Sequence, residues 1–206
     1  MSTNKRKLHH SLRLLRKVHY FWLIGLCIIF SIIALFALRS NNKQMVVLRT
    51  AVFNADKNNG DTETALKTLR QFVFTHMNTN LASGANAVKP PIQLKYRYER
   101  LVASEKATYD AANAKVVADA EATCVAQFPN VTFSQDRLNC ARAYAAAHPV
   151  TLKSVPDDLY KYDFVSPVWS PDQAGWSLLA AGLFLLLFIV RFLSDKLMVY
   201  ELKNDA

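Results

Sequence analysis

The run YFWLIGLCIIFSIIALFAL, residues 20 to 38, carries no charge along its whole length. As a helix rising about 1.5 Å per residue it reaches nearly across a hydrocarbon core roughly 30 Å thick. A core helix of a soluble domain is normally broken by polar residues every turn or two. The run therefore reads as a transmembrane helix, and the rest of the chain is read outward from it.

On its N-terminal side, residues 1–19 hold Lys5, Arg6, Lys7, Arg13, Arg16 and Lys17 and no acid. A basic segment before an apolar one is also the pattern of a cleaved signal peptide. Here the apolar run exceeds the usual length of about 7 to 15 residues, and Leu35-Phe36-Ala37 lacks the small-x-small pattern of a cleavage point. A retained signal anchor is expected, with Tyr20, Phe21 and Trp22 as interfacial aromatics. The positive-inside rule puts the basic tail in the cytoplasm. Leu8, Leu12 and Leu15 share one helical face of that tail and could lie on anionic lipid. An orientation signal alone explains the charges as well. His9, His10 and His19 have no acid or thiol nearby and read as solvated.

A second uncharged run, WSLLAAGLFLLLFIV, covers residues 176 to 190, with Phe192 and Leu193 continuing past Arg191. Two spans return the C-terminus, residues 194–206, to the cytoplasmic side. Residues 39–175 are then extracytoplasmic. They contain 16 basic and 13 acidic residues, so the formal charge of +9 comes mostly from the tail. The charge is a topology signal, and no nucleic-acid partner is implied. Ala180, Ala181 and Gly182 form a small patch where another helix could approach. Neither span has an ionisable residue at its centre, which argues against a channel or transporter built from one copy.

The external region reads as helical. Met45, Leu48, Val52 and Ala55 continue the first span as an amphipathic helix over about 41–56. Asn58-Asn59-Gly60 stops it, where torsions outside the helical region are needed. Asp61 can cap a helix over 61–79 with the stripe Ala65, Leu66, Leu69, Phe72, Val73 and Met77. A loop of small residues follows, and Pro91 suits the first turn of a long helix over 92–128. That helix carries Leu94, Tyr98, Leu101 or Val102, Tyr109, Ala112, Val116 and Ala120 along one stripe. Pro129 ends it, and Ser134 caps a shorter helix over 134–148. Residues 149–173, with prolines at 156, 167 and 171, read as an irregular strap returning to the membrane. The fold class expected is an all-α membrane protein, with two transmembrane helices flanking an elongated antiparallel bundle of about four helices.

Cys124 and Cys140 are separated by fifteen residues, a spacing that fits no compact metal or dithiol motif. An antiparallel pairing of the last two external helices brings them close, and an oxidising compartment favours a structural disulfide. Closing such a loop contributes about 3 kcal/mol in the chain-entropy account. Cys27 lies mid-membrane and reads as a packing residue. Asn130-Val131-Thr132 matches the acceptor pattern for an N-linked glycan, a tripeptide that also arises often by chance. Arg97, Glu99, Arg100, Glu105 and Lys106 with Tyr96 and Tyr98 could line a cleft, but such a run is more often a solvated helix face. Asp157, Asp158 and Asp163 lack the spacing of a calcium loop. His76 and His148 have no recognisable triad partner. No phosphate loop, HExxH or nucleophile elbow occurs, so no catalytic residue, metal or cofactor is assigned and no enzymatic activity is expected.

Two terminal spans enclosing a helical external region, with Pro167 and Pro171 shortly before the second span, resemble the arrangement of bacterial polysaccharide co-polymerases. The resemblance covers topology and the proline-bearing approach, and implies a chain-length regulator. The external region is short for that family. The topology is also similar to that of chemoreceptor sensory bundles, but about a dozen residues follow the second span, too few for a signalling domain. The function expected is a membrane-anchored interaction or scaffolding protein, working as a homo-oligomer or with other membrane proteins, with lipid as its surroundings. The alternatives are a ligand-binding or sensory accessory subunit, a small co-polymerase-like regulator, or an envelope enzyme without a recognisable motif.

Overall fold

The computed structural model describes residues 20–82, 87–129 and 134–204. Five α-helices account for most of them: α1, Tyr20–Lys57; α2, Thr62–Thr75; α3, Lys95–Gln127; α4, Gln135–Ala147; and α5, Gln173–Asn204. A single 3-10 turn, Asp157–Leu159, and two short strands, β1 (Ile92–Gln93) and β2 (Lys161–Tyr162), complete the described elements. Helices α1 and α5 are each long and apolar enough to cross a membrane.

The described residues fall into two compact units. The first draws on Met1–Val52, Glu63–Ser83 and Phe164–Ala206. Small side chains are buried on both of its apolar helices: Ala34 and Ala37 on α1, and Ala174, Ser177 and Ala181 on α5. Small residues let helix backbones approach closely where no hydrophobic effect drives them together. Phe30 stacks on Phe184 at 5.5 Å, and the Tyr20 and Phe188 rings lie 6.3 Å apart. Within residues 180–182 Ala181 is buried, whereas a side chain placed on Gly182 would meet open space. Ile28, Leu35 and Phe36 on α1 and Leu179 and Leu186 on α5 are exposed. Beyond the span, Met45, Val52, Leu66, Leu69, Val73 and Leu81 are the buried apolar residues of this unit.

Helix α2 stops at Thr75, one turn before the sequence pattern suggests. Thr79 Oγ1 donates to the His76 carbonyl at 2.7 Å, and Asn78 takes a left-handed backbone with φ 60°. Asparagine tolerates that region better than other side chains, so it ends the helix there. Asn59, at φ 52°, ends α1 in the same manner.

The second unit comprises Phe53–Thr62 and Gly84–Asp163. Its long helix begins at Lys95 and not at Ile92, because Ile92 and Gln93 pair antiparallel with Tyr162 and Lys161. Leu94 N–H then donates to the Tyr160 carbonyl at 2.9 Å. Those contacts commit the backbone donors that a helix start would otherwise leave free. Ile92 and Leu94 are fully buried beneath this junction.

Candidate functional site

The long helix α3 is fastened at both ends. Leu94, its N-cap residue, offers no side-chain bond to the first turn. Asp56, from the last turn of α1, supplies one instead: its carboxylate accepts from Tyr96 N–H at 3.0 Å and from Arg97 N–H at 2.7 Å. Arg100 adds a guanidinium contact to Asp56 Oδ1 at 3.0 Å and a second bond to the Asp56 carbonyl. Asp56 is 2% exposed, and each of these bonds satisfies a group that burial would otherwise penalise. A carboxylate at a helix N-terminus also interacts favourably with the helix dipole.

At the other end, the Cys124 and Cys140 sulfurs lie at bonding distance, 2.01 Å, and join α3 to α4. Ser134 Oγ caps α4 by accepting from Arg137 N–H at 3.2 Å. Cys124 is buried, whereas α4 buries none of its residues fully. Between the two helices runs a groove of about 480 Å³, bordered by Val117, Ala120, Leu138 and Ala141, with Glu121 and Arg137 also lining it. The sequon residue Asn130 lies outside the described residues.

Between these fastenings, α3 presents most of its surface. Ala120 and Cys124 are its only fully buried residues, and Tyr96, Tyr98, Val102, Val117 and Val125 are exposed. Of the charged run singled out from the sequence, Glu105 lines a small cleft of about 260 Å³ with Tyr109, Val150 and Lys153. Lys95 and Glu99 form an exposed pair at 3.7 Å, and Arg100 turns to Asp56.

The aspartates of the strap are equally local. Asp157 accepts from Tyr160 Oη at 2.7 Å and from Lys161 Nζ at 2.8 Å. The Lys161 bond, helped by Tyr160, holds the Asp157 carboxyl below its ordinary range. The same contacts push Tyr160 and Lys161 up. No group of three acidic, histidine or cysteine side chains suited to a metal occurs among the described residues. His76 Nδ1 lies 3.0 Å from the Phe72 carbonyl, and His148 Nδ1 lies 3.0 Å from that of Tyr144.

A second polar centre, in the first unit, gathers side chains from two segments and backbone groups from a third. Asp172 accepts from Asn41 Nδ2 at 2.6 Å, from Ser170 Oγ at 2.9 Å and from Gly175 N–H at 2.9 Å. Ser170 Oγ also accepts from Met77 N–H at 2.9 Å, and Asn41 donates to the Met77 carbonyl. Burial alone pushes the Asp172 carboxyl up, but the Gly175, Asn41 and Ser170 bonds, with a contribution from the charge of His76, bring it below its ordinary value. Gly175 admits no side chain: a Cβ there would stand 1.8 Å from the Ser170 carbonyl oxygen. This knot ties the part of α1 just past the first apolar run, the segment after α2 and the start of α5 together. No local sequence signal marked Asp56 or Ser170 as buried.

No protein-family model matches the chain, and neither the curated proteins nor the solved structures compared with it give a match.

Proposed function

We propose that the protein is a two-span membrane protein, with both termini cytoplasmic and residues 39–175 forming an extracytoplasmic helical bundle that serves as an interaction or scaffolding module. The orientation follows from the six basic residues before the first span under the positive-inside rule, and a disulfide between Cys124 and Cys140 suits the oxidising side of a membrane. The observation that carries the functional reading is α3. A helix of 33 residues is held at its start by Asp56 and near its end by the disulfide, yet leaves nearly all of its length unburied. A stiff, fastened element with a largely free surface is suited to presenting contacts to another protein or to a second copy.

Purification in mild detergent followed by native mass spectrometry tests the reading. The expected result is a homo-oligomer or a defined complex with other membrane proteins. Recovery as a solitary monomer at every expression level overturns it. The groove between α3 and α4 favours a second reading, a ligand-binding accessory subunit. That reading expects a small molecule to raise the melting temperature of the purified protein and to lose its effect in Leu138→Arg. Orientation has a separate check. A membrane-impermeant thiol reagent applied to intact cells after reduction should label Cys124 and Cys140; labelling only after lysis overturns the topology.

A further inference from the structure

The strap segment FVSPVWSP, residues 164–171, carries no charge and leads directly into α5. Its side chains divide into two sets. Ser170 is buried in the knot with Asp172 and Met77, and Ser166 Oγ donates to Asn80 Oδ1 at 2.8 Å. Val168 and Val165, by contrast, are 97% and 73% exposed, and Trp169 is exposed beside them. The Trp169 ring meets that of Trp176, on the first turn of α5, edge-on at 5.9 Å. The exposed apolar side chains of the strap therefore adjoin those at the start of α5 through this ring contact.

Two further features suit the segment to a poorly hydrated surrounding. Pro167 and Pro171 have no backbone N–H to leave unsatisfied, and both serine hydroxyls are engaged within the protein. Unpaired polar groups are what make irregular backbone unfavourable near hydrocarbon, and tryptophan favours the membrane–water boundary. Gly175 and the Asp172 knot hold the backbone at Ser170, next to the exposed Trp169.

We propose that residues 164–171 form a wedge that enters the interfacial layer of the outer leaflet, with Val165, Val168 and Trp169 among the acyl chain ends nearest the headgroups. The occupant of this exposed surface is lipid, because it adjoins the exposed apolar side chains at the start of the span. The inference rests on the two-span reading, and its test separates the two.

In full-length protein carrying Cys27→Ala, with the native disulfide kept intact, single cysteines are introduced by Val168→Cys, Leu186→Cys and Ala118→Cys. Each is labelled with an environment-sensitive fluorophore and reconstituted into phosphatidylcholine vesicles. Lipid brominated near the headgroup end of its chains is the apolar quencher for the labels at 168 and 118, lipid brominated near the chain terminus is that for the label at 186, which lies about ten helical residues deeper, and iodide is the aqueous one. The label at 168 is expected to be quenched by the brominated lipid several-fold more than the label at 118, and to be shielded from iodide. If 186 is quenched by lipid while 168 responds only to iodide, the wedge is wrong and the spans stand. If 168 is shielded from both quenchers, a protein covers the strap and the lipid assignment fails. If 186 is not quenched by lipid either, the two-span reading falls and takes the wedge with it.

Discussion

Asp56 Oδ1 accepts the backbone N–H of Arg97 at 2.7 Å across forty-one residues of sequence. The first turn of α3 is therefore capped by a side chain from the end of α1, and the two segments are ordered together. An N-cap that is lost costs about 1 kcal/mol, up to about 2, and a hydrogen bond to a charged group is worth about 1.5 to 3.

Asp56→Ala should accordingly destabilise the second unit by about 2 to 4 kcal/mol. Arg100→Ala should cost less, about 1 kcal/mol or under, because the Arg100 side chain is 40% exposed and exposed pairs are screened by solvent. Hydrogen exchange of the Tyr96 and Arg97 amides in detergent reads both. Unchanged protection of those amides in Asp56→Ala would show that the cap is dispensable.

The disulfide should matter to α4 far more than to α3. Helix α4 buries no residue fully, so little apolar area holds it once the covalent tie is cut, and a loop of this length accounts for about 3 kcal/mol. Replacing Cys124 and Cys140 by serine should abolish exchange protection over 135–147 while leaving the Asp56-capped start of α3 protected. Equal protection of α4 with and without the bridge would contradict this.

What could be read in advance follows the range of the interactions. The two apolar runs and the helical periodicity are local patterns, visible within a window of one or two turns. The approach of Cys124 to Cys140 needed only the assumption of antiparallel neighbours. Asp56, by contrast, looked like an ordinary residue near a helix end, since its partners Tyr96, Arg97 and Arg100 lie some forty positions later. Asn41, Met77 and Ser170 likewise belong to segments with no common pattern. Ile92 and Gln93 continued the helical composition of α3, yet pairing with Tyr162 and Lys161 pulled them into a strand. A tertiary hydrogen bond overrides a propensity difference of a few tenths of a kcal/mol.

Glycine content alone does not say which glycine is required. A Cβ at Gly175 would sit 1.8 Å from the Ser170 carbonyl oxygen, whereas one at Gly182 meets nothing within 4 Å. Overpacking of this kind costs typically about 1 to 3 kcal/mol and sometimes more. Gly175→Ala should therefore lower the thermal midpoint and open the Trp169–Trp176 contact. Gly182→Ala should be neutral or slightly stabilising, since alanine is the better helix former by about 1 kcal/mol. Near-ultraviolet circular dichroism of the tryptophans separates the two variants, and similar spectra for both would refute the assignment.

The Asp172 knot should respond to acid with a definite sign. Its carboxyl lies below the ordinary aspartate value of 3.8, because the bonds from Gly175, Asn41 and Ser170 outweigh the effect of burial. A group depressed in the folded state stabilises that state above its unfolded value, and this contribution is lost as pH falls through the lower, folded value. The knot should thus be intact and insensitive to pH from neutrality down to about 4, then loosen below it. Protonation removes the negative charge that strengthens these three accepted bonds, so each of them weakens. The contacts of Trp169 and Trp176 report this loosening through their fluorescence. The wild type should show an acid transition below pH 4 that Asp172→Asn lacks, the variant being weaker already at neutral pH because an amide accepts less strongly than a carboxylate. An identical transition in the two proteins would place the acid sensitivity elsewhere and remove Asp172 from its role in holding the strap.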